Sequence, residues 1–215
     1  MSLVFLVGPP AVGKMTVGHA LAARTGLRLL HNHATSDVVV RFFDYGTPAY
    51  QRLITEFRTR LCEEVAASDL PGLIITYVWA FDEPGDADFV ARVGDIFRAR
   101  GRPVYLVELE APLDVRLARN ASAFRLAEKP TKRDVEASRR HLLEVEARYR
   151  LNSGGEFAGR PDYLRLPNGD LSPEAAAERI VATFGLPRVG DEPPAASEDV
   201  RRSHVVRAPA PTQIP

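Results

Sequence analysis

Near its amino terminus the sequence reads Gly8-Pro9-Pro10-Ala11-Val12-Gly13-Lys14-Met15-Thr16. The spacing of the two glycines and the lysine is that of a phosphate-binding loop, G-x-x-x-x-G-K. The apolar run Leu3-Val4-Phe5-Leu6-Val7 precedes the loop and a helical pattern follows it, which predicts a strand, a loop and a helix in succession. In that arrangement the loop amides and the positive end of the helix surround one anion, to which Lys14 adds a positive charge. Met15 stands where Ser or Thr is usual, so the loop lacks the usual hydroxyl ligand for Mg²⁺.

The composition is that of a single globular domain. The chain has 215 residues, and its 28 basic and 28 acidic residues give a net charge of zero, which argues against a nucleic-acid partner bound through bulk charge. The single cysteine, Cys62, excludes an internal disulfide framework, and its apolar helical context predicts a core residue. No apolar stretch approaches the roughly 20 residues of a membrane span, and the apolar start fits a strand better than a leader segment. These features indicate a cytoplasmic protein without a membrane partner.

Strand-like and helix-like segments alternate along the chain, which is typical of an α/β fold with a parallel sheet. We expect five strands, at residues 3–7, 27–30, 73–79, 103–109 and 162–166. Helices are expected at residues 14–25, with Gly26 after the last turn, and at residues 36–43, 88–100 and 112–120. A long helix opens with Thr47 as N-cap and Pro48 as first helical residue, and the last helix, up to residue 184, is capped and opened by Ser172-Pro173. Another helix is expected from a capping box at Thr131 to about residue 149. The apolar stripe of the long third helix is expected to comprise Tyr50, Leu53, Ile54, Phe57, Leu61 and Val65. Residues 1–187 form the predicted domain, and the Pro- and Ala-rich residues 188–215 a flexible tail.

The strand count, the amino-terminal loop and a basic segment after the fourth strand together resemble the nucleoside-monophosphate-kinase and shikimate-kinase group of P-loop kinases. The resemblance covers about residues 3–184, and the loop is its specific part. It implies a three-layer α/β/α P-loop NTPase fold with a five-stranded parallel sheet and a small lid at about residues 120–133. It also implies ATP and Mg²⁺ as cofactors, a small-molecule hydroxyl group as phosphoryl acceptor, and a monomer or homodimer.

On the nucleotide side, the resemblance assigns roles to the loop and to the basic segment. Adenylate kinases read Gly-Lys-Gly-Thr at this point of the loop, which implies that Thr16 takes the role of the missing hydroxyl and binds Mg²⁺. Arg119, Arg125 and Arg133 match the lid arginines that close over the nucleotide and stabilise the transferred phosphoryl group. The loop around Asn168 would pass the adenine. A solvated basic loop is the alternative interpretation of the arginines.

On the acceptor side, related kinases place an Asp just after the second strand, where it contacts or deprotonates the acceptor hydroxyl. Here His31 and His33 hold that place, and Asp37 follows four residues after His33. A His beside a carboxylate is a suitable base near neutral pH, so we expect one of these three residues to serve as the base. A metal site built on the two histidines and a purely structural role are the alternatives.

The third strand is followed by Asp82, which the resemblance suggests as a water-mediated Mg²⁺ ligand in the manner of a Walker B carboxylate. A turn residue beside Pro84-Gly85 is the other interpretation. The aromatic residues Tyr77, Trp79 and Phe81 either stack on the acceptor or pack in the core.

The function predicted from these features is transfer of the γ-phosphoryl group of ATP to a hydroxyl of a small molecule, a metabolite or a natural product such as an antibiotic. A nucleoside or nucleotide kinase is the first alternative, with arginines available at positions 41, 52, 58 and 60 to bind a nucleotide acceptor. A regulatory module that binds ATP without turnover is the second. A GTPase is disfavoured because no Asn-Lys-x-Asp motif follows the fourth strand.

Overall fold

The protein is built on one parallel sheet with strand order β2-β3-β1-β4-β5. The computed structural model describes residues 1–121 and 135–191. Within them the strands are β1 (Ser2–Val7), β2 (Arg28–Leu30), β3 (Gly72–Tyr77), β4 (Val104–Glu110) and β5 (Tyr163–Pro167). β1 is central and every residue in it is buried, because helices cover both faces of the sheet. Its apolar run is therefore unbroken, without the alternation that an exposed strand face would impose.

Seven helices connect and cover the strands of the described residues: α1 (Lys14–Thr25), α2 (Asn32–Val39), α3 (Pro48–Ala67), α4 (Pro84–Arg98), α5 (Leu113–Asn120), α6 (Val135–Arg148) and α7 (Pro173–Phe184). The Thr47 side chain accepts from the Tyr50 amide and the Ser172 side chain from the Ala175 amide, so both predicted N-caps are confirmed. In neither described range is a helix both long and apolar enough to cross a bilayer.

The two faces of the sheet carry separate layers of helices. Alternate residues of β1, among them Leu3 and Phe5, pack in one core with α3 and α4, while Val4 and Leu6 pack in another with α1 and α7. The three-layer α/β/α architecture with a five-stranded parallel sheet is thereby confirmed.

Four local expectations differ from the structure. α4 begins at Pro84 and not at residue 88. α2 begins at Asn32, directly after β2, with His31 in extended conformation as its N-cap residue, and not at residue 36. β3 ends at Tyr77, so Trp79 lies beyond the strand. Leu53 and Phe57 were expected in the buried stripe of α3, but 41% and 57% of their surfaces are exposed. Tyr50, Ile54, Cys62 and Ala66 instead form a buried line that follows multiples of four residues, and Val65 lies buried beside it. The lid segment from residue 122 and the tail from residue 192 lie outside the described residues.

Candidate active site

The carboxyl ends of all five strands lie at one edge of the sheet because the strands are parallel. The chain leaves β1 toward β2 and β3 on one side and later crosses to β4 and β5 on the other, so the change of direction falls at the carboxyl end of β1. Ligands of open α/β sheets bind in the crevice at such a point. The loop of residues 8–14, hereafter the P-loop, starts there.

The P-loop takes backbone conformations that explain its glycines. Gly8 and Gly13 have φ values of 133° and 112°. A Cβ on Gly8 would lie 2.4 Å from the carbonyl oxygen of Leu109. That oxygen belongs to the backbone of β4 and cannot easily move away, so the position requires glycine. Ala11 also has a positive φ, 62°, although it carries a Cβ. Non-glycine residues in this region cost free energy and often mark functional loops.

Lys14 closes the loop on itself. Its Nζ donates to the carbonyl oxygens of Gly8 at 2.5 Å and Pro9 at 2.8 Å. The ammonium group therefore lies within the turn formed by residues 8–14. Lys14 is also the first residue of α1, so its ammonium charge lies near the positive end of the helix dipole.

The amino terminus of α1 is open to an anion. Gly13 is its N-cap residue, and among the described residues no side chain caps the first turn. The first turn also contains no acidic residue. The amide groups of a first helical turn are donors that a phosphate can satisfy. The Thr16 hydroxyl donates to the Gly13 carbonyl oxygen at 2.8 Å, which turns it toward the loop.

Arg119 and Asn168, both predicted to contact the nucleotide, converge on the P-loop from the β4 and β5 side. Arg119, at the end of α5, donates through Nη1 to Val12 O at 2.9 Å and through Nη2 to Asn168 O and Gly169 O at 2.8 and 2.9 Å. The Asn168 side chain donates to the same Val12 oxygen at 2.7 Å. Arg125 and Arg133, predicted to join them, lie outside the described residues.

His31, His33 and Asp37 lie on the opposite side of the P-loop, at the start and within the first two turns of α2. All three are half-buried. Their predicted role as base toward an acceptor stays a prediction. In the described ranges, no three or more His, Cys, Asp and Glu side chains are grouped so that they could hold a metal ion.

Arg58 lies on the same side of the P-loop as α2. From the sequence it was only one of four arginines available to bind a nucleotide acceptor. Its Nε donates to the buried Thr35 hydroxyl at 2.9 Å. Burial lowers the pKa of Arg58, and the nearby hydroxyls of Tyr50 and Tyr77 partly oppose that effect. A signal existed in the sequence: Tyr50, Ile54, Arg58 and Cys62 recur every four residues, which places an arginine on the buried line of α3.

Asp82 follows β3 as expected, but its two carboxylate oxygens both accept the backbone amide of Arg150 at 3.1 Å. This contact ties the segment after α6 to the β3–α4 loop. Mg²⁺ in phosphate sites commonly takes one or two protein oxygens and completes its shell with phosphate and water. Thr16 is compatible with that requirement because its oxygen keeps lone pairs while it donates to Gly13. The predicted Mg²⁺ role of Asp82 stays a prediction.

The aromatic residues after β3 pack internally. Trp79 is buried and stacks on Phe81 with ring centroids 4.6 Å apart, and Phe157 tilts against both rings. Tyr77 instead donates to Asp86 Oδ1 at 2.5 Å. Core packing is therefore the role that the structure gives to Trp79, in preference to stacking on an acceptor.

Comparisons with known proteins agree with this geometry. No family model matches the chain, and no curated protein matches it. Solved structures do: APS kinase from Mycobacterium tuberculosis in complex with AMPPNP and APS (14% identity, 86% of this chain and 97% of that chain covered, TM-score 0.53), a sugar kinase from Janibacter sp. (15%, 86% and 95%, 0.50) and a gluconokinase from Sinorhizobium meliloti (14%, 86% and 91%, 0.50). At these identities the likeness shows the fold: the chain has the fold of the P-loop small-molecule kinases.

Proposed function

We propose that the protein is a kinase that transfers the γ-phosphoryl group of ATP to a hydroxyl group of a small molecule. The observation that carries the proposal is Lys14, whose ammonium group lies inside the P-loop at the uncapped amino terminus of α1. That combination of a cation, loop amides and a helix dipole suits a polyphosphate. The similar fold of kinases that phosphorylate sugars and other small molecules supports the same conclusion.

The proposed reaction needs mainly position and charge. The acceptor oxygen attacks the γ-phosphorus, the bond between the γ-phosphorus and the bridging oxygen breaks, and ADP leaves with the electron pair. Lys14 and the P-loop amides stabilise the charge on the phosphates, and Arg125 is proposed to do so from the lid. His31, His33 or Asp37 accepts the hydroxyl proton. Mg²⁺, held through Thr16, would neutralise phosphate charge when bound.

The strand order supports a division of the crevice into two sides. Arg119 and Asn168 reach the P-loop from the β4 and β5 side, which we assign to the nucleotide base. The acceptor is assigned to the β2 and β3 side, where α2 and Arg58 lie. A nucleotide acceptor is the second candidate, because Arg58 offers a partly buried cation for a phosphate group on that side.

The setting we propose is the cytoplasm, with a small-molecule acceptor and no nucleic-acid or membrane partner. The single cysteine, Cys62, is buried as a free thiol, which fits a reducing compartment.

An ATP-consumption screen tests the proposal. The panel contains sugars, sugar acids, shikimate-like acids, nucleosides, nucleoside monophosphates and hydroxylated antibiotics, each with Mg²⁺ and ATP. Lys14→Ala is the inactive reference, and Arg28→Ala, which removes an exposed charge on β2, is the matched control. We expect at least one acceptor to raise ADP release a hundredfold above Lys14→Ala, with Arg28→Ala unchanged. ATP binding with no acceptor response would replace the kinase by a non-catalytic ATP-binding module.

A further inference from the structure

The Val12 carbonyl oxygen is held by two side chains that come from distant parts of the chain. Arg119 Nη1 donates to it at 2.9 Å and Asn168 Nδ2 at 2.7 Å. Arg119 Nη2 also donates to the carbonyl oxygens of Asn168 and Gly169, so the two side chains are fixed to each other as well as to the loop. The P-loop, α5 and the β5–α7 loop therefore meet at this one oxygen.

The direction of that carbonyl determines the direction of the next amide. In a trans peptide the C=O of Val12 and the N–H of Gly13 point in opposite directions. With the oxygen held on the β4 and β5 side, the Gly13 N–H points away from Arg119 and Asn168. Gly13 is the N-cap residue of α1, so this amide stands at the uncapped helix terminus where an anion binds.

Gly13 can adopt the φ that the alternative orientation of this peptide requires. Gly13 has a φ of 112°. A half-turn of the Val12–Gly13 peptide would bring this angle close to the helical value of about −65°, which glycine adopts readily. The Gly13 N–H would then point to the opposite side. At Gly13 the flipped φ is as accessible as the observed one, so the hydrogen bonds from the two donors favour the observed orientation.

Asn168 has the marks of a residue placed for this contact. Only 2% of its surface is exposed, and within the described part of the chain its Oδ1 has no hydrogen-bond partner. A buried acceptor without a partner destabilises the fold. The side chain approaches so closely that a Cβ on Gly13 would lie 2.7 Å from Nδ2. Its remaining contribution is the donor to Val12.

We propose that Arg119 and Asn168 are positioning residues that hold the Val12–Gly13 peptide with its amide toward the phosphates. This role rests on the proposed function and is separate from any contact of these residues with the nucleotide base. It predicts that their effect persists with a ligand that has no base.

Inorganic tripolyphosphate with Mg²⁺ is such a ligand, and its affinity is measured by calorimetry beside that of ATP. The variants are Asn168→Ala, which removes one donor without changing charge, and Arg119→Lys, which keeps the charge but cannot reach three carbonyl groups. Arg116→Lys is the matched control, because Arg116 lies on the same helix and donates to Ala111 O and Glu146. Melting temperatures confirm that each protein is folded, and the Gly13 amide resonance reports the orientation of the peptide.

We expect Asn168→Ala and Arg119→Lys to weaken tripolyphosphate binding about tenfold and to shift the Gly13 amide resonance, with Arg116→Lys within twofold of the unaltered protein. Asn168→Ala should keep its melting temperature, because it also removes the buried Oδ1. Unchanged tripolyphosphate affinity in both variants, with ATP affinity lowered, would overturn the positioning role and leave the kinase proposal intact. Absence of binding of both ligands to the unaltered protein would overturn the proposed function, and the positioning role with it. If one variant does not fold, the affinity and the amide resonance of the other decide.

Discussion

Replacement of Glu108 by glutamine should destabilise the protein. The hydrogen bonds of the Glu108 carboxylate determine by how much. Glu108 lies in β4 with none of its surface exposed. Its Oε1 accepts from Asn152 Nδ2 at 2.8 Å and from the Ser153 amide at 2.7 Å, and its Oε2 accepts from the Tyr163 hydroxyl at 2.6 Å. Burial raises the pKa of Glu108, but the hydrogen bonds from Ser153, Tyr163 and Asn152 outweigh burial and leave the pKa below its ordinary value.

The three hydrogen bonds set the magnitude. Bonds to a charged acceptor contribute about 1.5–3 kcal/mol each and neutral ones about 0.5–1.5 kcal/mol. Glutamine keeps an oxygen for Asn152 and Ser153, and the Tyr163 hydroxyl can accept from its amide group, so the partners remain while the charge is lost. The loss is about 3 kcal/mol, offset by about 1 kcal/mol because a charge no longer has to be buried. A net destabilisation of about 2 kcal/mol follows, which moves a urea midpoint by about 1 M.

Urea unfolding at neutral pH measures this change, and Glu110→Gln is the matched control. Glu110 lies on the same strand but pairs with Arg165 at the surface, where an ion pair contributes about 0.2–1 kcal/mol. Because the folded pKa of Glu108 is lowered, its stabilisation is complete above the unfolded value of about 4.3 and is lost as pH falls through the folded pKa. The difference between the unaltered protein and Glu108→Gln should therefore shrink only in acid. A midpoint of Glu108→Gln within about 0.2 M of the unaltered protein, about a fifth of the expected shift, would contradict this role of the carboxylate.

Three further predictions concern single positions. In Gly13→Ala the new Cβ meets both a positive φ and the Asn168 side chain, whereas in Gly101→Ala it meets a φ of 67° with no described atom within 4 Å. We expect Gly101→Ala to lower the free energy of unfolding in urea by about 1 kcal/mol and to keep ATP affinity, and Gly13→Ala to lower stability more and ATP affinity at least tenfold by calorimetry. Equal effects of the two variants would contradict the contact between residue 13 and Asn168. Burial raises the pKa of the Cys62 thiol to about 12, so iodoacetamide should label the folded protein at pH 8 about a hundredfold more slowly than the urea-unfolded chain, and rapid labelling of the folded protein would contradict its burial. Tyr77→Phe removes the hydrogen bond to Asp86 and should cost about 1–2 kcal/mol, measured by urea unfolding through the fluorescence of Trp79, the single tryptophan, and an unchanged midpoint would contradict that bond.

Features that depend on nearby residues could be predicted from the sequence. The P-loop, the N-caps Thr47 and Ser172 and the left-handed C-cap at Gly26 each follow from a few adjacent residues, and the structure contains all of them. The alternation of strands and helices likewise predicts the sheet. Boundaries could be predicted less closely, because the start of α2 depends on how the chain leaves β2, which no local residue specifies.

The partners of charged residues could not be predicted. Glu108 lies within an apolar run that predicts only a strand, and the residues that satisfy it are more than 40 positions away. Arg58 follows the four-residue spacing of the buried line of α3, yet the spacing alone does not say whether an arginine there is exposed at the edge or bonded to Thr35. Contacts of this kind depend on how helices pack on the sheet, which the periodicity of one segment does not contain.

The loop can carry Met15 after the lysine because the orientation of its carbonyl groups does not depend on residue 15. A phosphate binds where amides point inward, and carbonyl oxygens that faced it would repel it. The Val12 oxygen accepts from Arg119 and Asn168, and the Gly13 oxygen accepts from the Val17 amide at 3.0 Å and from the Thr16 hydroxyl at 2.8 Å. Each of these oxygens therefore has two donors that hold it. The inward direction of the amides depends on these donors and not on residue 15, so a methionine after the lysine leaves the polarity of the loop intact.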